Sequence, residues 1–371
     1  MFSHNPEVAP LFNPAHQAGG SQQKALAAAI CAYAANIDNL EVLGGAVELI
    51  AQKHASLRIL PEHYPIVGAN LLASIREVLG DAATEEIIGA WAEAYGFLAD
   101  ILIGREKQIY SDQASAENGW SGFRPYRVVC KVQESEVITS FYLEPASGKG
   151  VPAFKPGQYI TVRLPHPTSG TTMRNYSISN APGEGRLRIS VKREPNGYVS
   201  NHLHGQIEEG DEIELGPPCG EFFLDLTEKH ERPLMLISAG VGITPMLSIL
   251  TSALVMHPGR PIYFVHGALN GAVHAFRNLV RDLESKYPNL KVHYRYSEAT
   301  AQDRLQPGYH SEGFIDAELL EGLLPGRDAD YYFCGPKPFM VGIYHNLLKW
   351  GIPASQVHFE FFGPRQELEV A

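Results

Sequence analysis

The chain has 371 residues, enough for two or three domains that each bury a core of their own. A hydrophobic content of 44% with 19% charged residues is ordinary for a globular protein, and a net charge of −11 with no offsetting basic block argues against nucleic-acid and acidic-membrane partners. The start, Met1-Phe2-Ser3-His4-Asn5-Pro6, has neither the basic nor the apolar segment of a signal peptide, and no apolar run reaches the roughly 18 residues of a membrane span. Cys31, Cys130, Cys219 and Cys334 are far apart and form no Cys-x-x-Cys. That spacing suits a reduced, cytoplasmic protein and removes a plant-type [2Fe–2S] centre from consideration.

Residues 1–111 read as helical. Leu26, Ile30, Tyr33 and Ile37 recur at helical spacing, as do Val47, Ile50, Ala51 and His54, and then Trp91, Tyr95, Leu98, Leu102 and Glu106. The polar stretch from Ser111 to Gly122 reads as a linker, leaving 112–122 between domains. From Phe123 the period becomes two: Val137, Thr139, Phe141 and Leu143 alternate, and QYITVRL and LRISVK do likewise between Pro and Gly turns. This predicts an antiparallel β-barrel over 123–232. Over 233–371, apolar strands (LMLIS, IYFVH, KVHYRY, DYYFC, VHFEFF) alternate with helices near Pro245, Ala275, Ala317 and Phe339, the pattern of a doubly wound parallel α/β sheet.

Three motifs carry chemistry in the last two domains. On a barrel strand, Arg174, Asn175, Tyr176 and Ser177 offer a charged fork, a stacking ring and a hydroxyl to a flavin. Tyr159 is a second aromatic candidate, although aromatics are common in strands. Gly197-Tyr198-Val199-Ser200 offers backbone N–H groups to a phosphate. Gly240-Val241-Gly242-Ile243-Thr244-Pro245 stands where LMLIS hands over to a helix: glycines let the backbone approach a pyrophosphate, and Pro245 suits the first helical turn. Cys334-Gly335-Pro336 ends the fourth strand, which places Cys334 beside a nicotinamide or, alternatively, as a buried small hydrophobe.

In the helical half, His54 lies on the apolar face set by Val47, Ile50 and Ala51, a position more often filled by a core histidine than by a ligand. Tyr64 follows ten residues on, and Glu106 continues the Trp91–Leu102 seam. Three polar groups aimed into one helical core suggest a metal or cofactor with supporting hydrogen bonds.

With these motifs in place, residues 123–364 resemble the ferredoxin–NADP reductase superfamily, and essentially the whole chain resembles the flavohemoglobins, a globin domain fused to such a reductase. The resemblance implies FAD, haem b and NADH (with NADPH possible) as cofactors, and nitric oxide dioxygenase activity: NAD(P)H reduces FAD, FAD reduces the haem iron, and O2 and NO are combined to nitrate. It implies that His54, in Gln52-Lys53-His54, is the proximal haem ligand with Lys53 beside it, and that Tyr64 and Glu106 form the proximal network. Phe12, Gln22 and Leu26 resemble haem-pocket positions. Glu360, Phe361, Phe362, Gly363 and Pro364 resemble the tail that closes over the flavin. NO, O2 and NAD(P)H are the implied partners of a cytoplasmic monomer. The family's first two globin helices, about thirty residues with the distal tyrosine, have no counterpart in front of Met1. Tyr33 does not replace that tyrosine, because its helical phase sends it into the core. Two other readings therefore stay open: a haem-poor NAD(P)H:flavin diaphorase, expected if the short form is genuine, and an oxygen-binding or sensing globin. Where NADPH-selective relatives commonly carry Arg after the serine that ends the third strand, Ser297 is followed by Glu298, so NADH is the expected donor, with Arg295 a partial compensation.

Overall fold

A computed structural model of the chain describes residues 2, 4–12, 21–228 and 232–362, with the side chains at 21–23 and 25 outside that description. In chain order the main elements begin with α1 (Ser21–Ala35), α2 (Gly44–Ser56), α3 (Tyr64–Leu79) and α4 (Glu85–Ser115). The strands β1 (Arg124–Gln133), β2 (Ile138–Pro145), β3 (Tyr159–His166), β4 (Gly170–Ser177) and β5 (Leu187–Lys192) follow, then α5 (Tyr198–Gln206) and β6 (Glu212–Leu215). The last part holds β7 (Leu234–Ala239), α6 (Ile243–Met256), β8 (Ile262–Ala268), α7 (Arg277–Lys286), β9 (Leu290–Tyr296), α8 (Ala301–Arg304), β10 (Ser311–Glu312), α9 (Ala317–Leu323), β11 (Asp330–Cys334), α10 (Lys337–Lys349) and β12 (Val357–Glu360).

The chain divides into two compact units, one of Met1–Arg124, Ile160–Asn175 and Glu214–Glu221, the other of Pro125–Tyr159, Tyr176–Ile213 and Phe222–Ala371. The core of the first is small: Ala51 and Ala55 of α2, Tyr64 of α3, and Ala99, Leu102 and Ile109 of α4. Helix α4 starts on a Thr84 side-chain cap, with Glu85 and Glu86 placed favourably at the positive end of the helix dipole. It runs to Ser115, into the stretch whose composition reads as linker, because Ser111–Ser115 retain helical phase and Gln113 finds partners in the Pro218 carbonyl and Cys219.

By length and composition α4 could cross a membrane, which the sequence expectation of no such span did not anticipate. Within the protein the helix buries Ala99, Leu102 and Ile109 against α2 and α3 and holds the Glu106 carboxylate at 2% exposure, while 17% of its most apolar stretch is buried.

In the second unit, β1 pairs antiparallel with β2, and β2 with β5; in the first, β3 pairs antiparallel with β6. The C-terminal strands are all parallel, in the order β10-β9-β8-β7-β11-β12. Both faces of the central strands β8, β7 and β11 are covered, so these read as largely apolar runs, whereas β9 is buried on alternate residues and keeps Lys291, His293 and Arg295 on its less buried side. Leu234 and Leu236 pack toward α6 and α7, whereas Met235 and Ile237, one residue out of phase, pack toward α9 and α10. The two-residue β10 and the short α8 and α5 carry too few residues to leave a periodic signal in sequence. Strand β12 stops at Glu360, two residues short of the apolar run.

Two histidines are sealed in this domain. His266 of β8 bonds Ser238 through Nδ1 at 2.8 Å, and His274 bonds the Tyr296 hydroxyl at 2.8 Å while its Nε2 has no partner among the described residues. Burial lowers His266 to about 3, and lowers His274 still more firmly with help from neighbouring His266 and Arg277. Both are neutral when folded, while the unfolded chain protonates them near 6.5, so their stability contribution is complete above that pH and is lost as pH falls toward 3. Unfolding free energies from urea titrations should fall below pH 6.5, down to pH 4.5, with a slope of up to about 1.4 kcal/mol per pH unit for each histidine. His266→Gln should flatten part of that slope; an unchanged slope would place the acid sensitivity elsewhere.

Candidate cofactor sites

The histidine–carboxylate site lies within the first unit. Helix α2 ends just after His54: Leu57 and Ile59 return backbone N–H groups to the His54 carbonyl, and Arg58 takes a left-handed φ of 62° that turns the chain. Arg58 is held there by Ser121 at 2.7 Å and by the Tyr110 ring. After the short Pro61–His63 turn, Tyr64 begins α3, and its hydroxyl donates to Glu106 Oε1 at 2.5 Å. The same oxygen lies 2.8 Å from His54 Nδ1, and the Tyr64 hydroxyl is 3.0 Å from that nitrogen. Burial, with the Glu106 carboxylate next to it, drives the Tyr64 phenol far above its ordinary range, so Tyr64 remains a donor. The Tyr95 hydroxyl donates to the Tyr64 carbonyl at 2.7 Å, and its ring packs against Gly68 so closely that a Cβ there would come within 2.5 Å of it.

This donor set fits an iron whose remaining ligands come from a macrocycle. A carboxylate on Nδ1 fixes the proton there and leaves the ring's lone pair on Nε2. Among the described residues no group of three or more His, Cys, Asp or Glu could hold a metal by itself. The other haem-pocket candidates are less gathered. Phe12 is half-buried, its ring 5.1 Å from Phe2; Leu26 is 43% exposed; Lys53 is exposed; the Gln22 side chain lies outside the described residues. Tyr33 is buried, as its phase requires.

Strand β4 ends in Arg174-Asn175-Tyr176-Ser177, where Arg174 and Tyr176 alternate with Asn175 and Ser177. The Arg174 guanidinium donates to the Met173 carbonyl at 2.6 Å and to Thr172 at 3.3 Å. Asn175 is taken up within the protein: its Oδ1 accepts from Thr161 at 2.8 Å, and its Nδ2 donates to Ser56 Oγ at 3.2 Å, two residues beyond His54. Gln52 likewise accepts from the Gly220 N–H at 3.2 Å. In the second unit Tyr159 and Ser177 are buried and Tyr176 half-buried. Arg174→Ala should weaken FAD retention about tenfold, the equivalent of a lost charge-assisted hydrogen bond of roughly 1.5 kcal/mol. Flavin-to-protein absorbance after gel filtration reads this directly, and full flavin content would remove Arg174 from the site.

The third site stands at the carboxyl ends of the parallel strands, where nucleotides bind. Gly240, at φ +54°, turns β7 into a short 3-10 stretch that leads into α6. A Cβ on Gly242 would run into the carbonyl of Cys334 and lie 2.8 Å from the Gly335 nitrogen, and one on Gly335 would meet the Phe339 ring at 2.6 Å. These two glycines bring the β7–α6 turn against the end of β11, a cradle that suits a pyrophosphate. Val241 is half-buried, whereas Ile243, Thr244 and Pro245 are buried as the anchor of α6, with Thr244 Oγ1 donating to the Val241 carbonyl at 3.0 Å. Cys334 is fully buried, and burial with nearby Glu360 pushes its thiol well above the ordinary range. Glu360 pairs in register with Cys334 on β12; Phe361 packs on the α9–α10 face and Phe362 is 45% exposed. Gly363 and Pro364 lie outside the described residues.

Sequence reading placed Tyr95 on the helical seam but not its hydrogen bond to the Tyr64 carbonyl, and it gave no role to Ser56 or to the close packing of Gly335. Ser56 left no local signal, whereas Gly335 stands next to Cys334 in a strand-end turn.

Known families match this organisation. Residues 1–102 match the globin family, 125–224 the oxidoreductase FAD-binding domain and 236–345 the oxidoreductase NAD-binding domain. The chain is 51% identical to the flavohemoprotein of Rhodopirellula baltica, covering 99% of this chain and 92% of that protein. It is 48% identical to the flavohemoprotein of Pseudomonas aeruginosa, covering 100% and 92%. A crystal structure of flavohemoglobin from Malassezia yamatoensis with bound FAD and heme superposes with a TM-score of 0.84 at 27% identity, over 98% of this chain and 91% of that one. The flavohem-like FAD/NAD-binding domain of nitric oxide dioxygenase from Vibrio cholerae matches 65% of this chain and 99% of its own at 35% identity and a TM-score of 0.57. The chain belongs to the flavohemoprotein family: an oxidoreductase with a globin domain, an FAD-binding antiparallel sheet domain and an NAD-binding parallel sheet domain.

Proposed function

We propose that the protein is a nitric oxide dioxygenase that draws electrons from NADH through FAD to haem and detoxifies NO as nitrate. The observation that carries this reading is the His54–Glu106–Tyr64 triad, since a carboxylate on the ligand imidazole is what a strongly donating proximal histidine needs. The nitric oxide dioxygenase identity of the Vibrio cholerae relative supports it. Bound haem and flavin would supply the electron path and the centre at which O2 and NO combine.

The chain's own residues do the rest. Glu106 holds the proton on His54 Nδ1 and so raises the donor strength of Nε2; Tyr64 occupies the same carboxylate oxygen and fixes its orientation. Arg174 supplies charge to a flavin phosphate, Tyr159 and Tyr176 supply flat apolar surface, and Ser177 supplies a hydroxyl. The Gly240–Gly242 turn and the α6 N-terminus take the pyrophosphate of NADH, beside Cys334. A cytoplasmic, monomeric protein whose partners are NO, O2 and NAD(P)H belongs to the same reading, and four free cysteines suit it. Purified protein supplied with NADH, O2 and NO should consume NO and form nitrate. NADH oxidation with no NO consumption would leave a flavin diaphorase instead.

A further inference from the structure

A dinucleotide whose pyrophosphate lies on the Gly240–Gly242 turn, with its nicotinamide toward β11, extends its adenosine the other way across the ends of β8 and β9. Two strand spacings separate β7 from β9, roughly 10 Å, about the reach from pyrophosphate to ribose. At that end Ser297 and Glu298 continue the pairing, donating to the carbonyls of Ala268 and Leu269 at 3.0 and 2.8 Å, and the Glu298 side chain is exposed.

Arg295, on β9 immediately before this turn, is the residue whose charge a 2′-phosphate would seek, and it is already engaged. Its Nε donates to the Glu312 carbonyl at 3.2 Å, and its Nη1 lies 3.4 Å from Asp316 Oδ1. The guanidinium lies flat on Gly313, where φ is +119° and a Cβ would stand 3.0–3.5 Å from three of its atoms. Its side chain is 19% exposed. Asp316 is itself fixed, because the same Oδ1 caps α9 by accepting from Leu319 N at 2.9 Å. The neighbouring arginines are occupied as well: Arg304 pairs with Glu312 at 2.8 Å, and Arg277 donates to Gln306 at 2.6 Å.

We propose that Asp316 sets donor specificity at this site by latching Arg295 away from the ribose, so that the site discriminates against the 2′-phosphate of NADPH and selects NADH. The latch acts together with Glu298, whose carboxylate repels a phosphate dianion. Selectivity here rests less on a missing cation than on a cation held by its own acid. The inference rests on the strand-end site being the NADH site, but not on NO chemistry.

The test uses the full-length holoprotein with ferricyanide as electron acceptor, so that dioxygenase activity has no part in the readout. In Asp316→Asn the cap acceptor is kept and the charge removed; the ratio of kcat/KM for NADPH to that for NADH should rise about tenfold, with the NADH value little changed. Arg295→Ala added to Asp316→Asn should abolish the rise, while Arg295→Ala alone should leave the ratio where it was. A ratio unmoved by Asp316→Asn, or a rise that survives loss of Arg295, overturns the proposal. Should Asp316→Asn fold poorly, Asp316→Ser keeps a capping oxygen, and competitive inhibition by 2′,5′-ADP relative to 5′-AMP reads the same preference without turnover. Absence of NADH oxidation in the unsubstituted holoprotein would instead refute the site reading.

Discussion

His54→Ala is expected to yield a protein that keeps its flavin spectrum and its NADH–ferricyanide activity but has no Soret band. Among the described residues of the helical domain, His54 is the histidine held by a buried carboxylate–phenol pair. NO consumption should fall by more than the roughly 10–100-fold typical of changes to groups that merely support a metal ligand. The substitution removes a partly exposed ring, with a side chain 32% accessible, so the helical core of Ala51, Ala55, Leu102 and Ile109 should remain folded. Far-ultraviolet circular dichroism checks that point. A haem spectrum matching that of the unsubstituted protein would remove His54 from the iron.

The second large effect is expected at Gly242. The obstruction to a side chain there is the backbone of Cys334 and Gly335, which cannot rotate away as a side-chain tip could. Gly242→Ala must push the β7–α6 turn off the end of β11, at a cost of about 3 kcal/mol, the upper part of the usual range for overpacking. Displacing a cofactor cradle by an ångström costs on the order of 100-fold in rate. NADH–ferricyanide activity should fall by that factor, while the haem and flavin spectra persist. Gly259→Ala, where nothing lies within 4 Å of an added Cβ, is the matched control and should be neutral. Equal activities for the two variants would show that the turn does not carry the nucleotide.

The doubly wound domain was legible because its central strands are buried on both faces: LMLIS, IYFVH and DYYFC are predominantly apolar, and each is followed by a helix. The His54–Glu106 pairing was legible for a related reason. Two polar residues continuing apolar helical seams must meet something in the core, and α2 and α4 bring them to 2.8 Å. What sequence did not reveal depends on long-range contact. Asn175 reads as one more polar residue of the flavin motif, yet its amide spans Thr161 and Ser56, a relation across 119 residues that no local pattern encodes. Arg295 reads as a candidate phosphate ligand until Asp316 and the Glu312 carbonyl, brought beside it by the two-residue β10, are seen to hold it. The extension of α4 to Ser115 was hidden because composition, unlike helical phase, marks that stretch as loop.

In the function proposed above, electrons from NADH drive the conversion of NO to nitrate. The most direct measurement is the rate of NO loss at an electrode after adding NADH to air-equilibrated holoprotein, with nitrate determined at the end point and the Glu106→Gln variant run in parallel. The expected result is rapid NADH-dependent NO loss, nitrate formed in proportion to NO consumed, and a rate roughly 10–100-fold lower in Glu106→Gln with haem and flavin contents unchanged. NADH oxidation at the same rate with and without NO, with no nitrate formed, would contradict it.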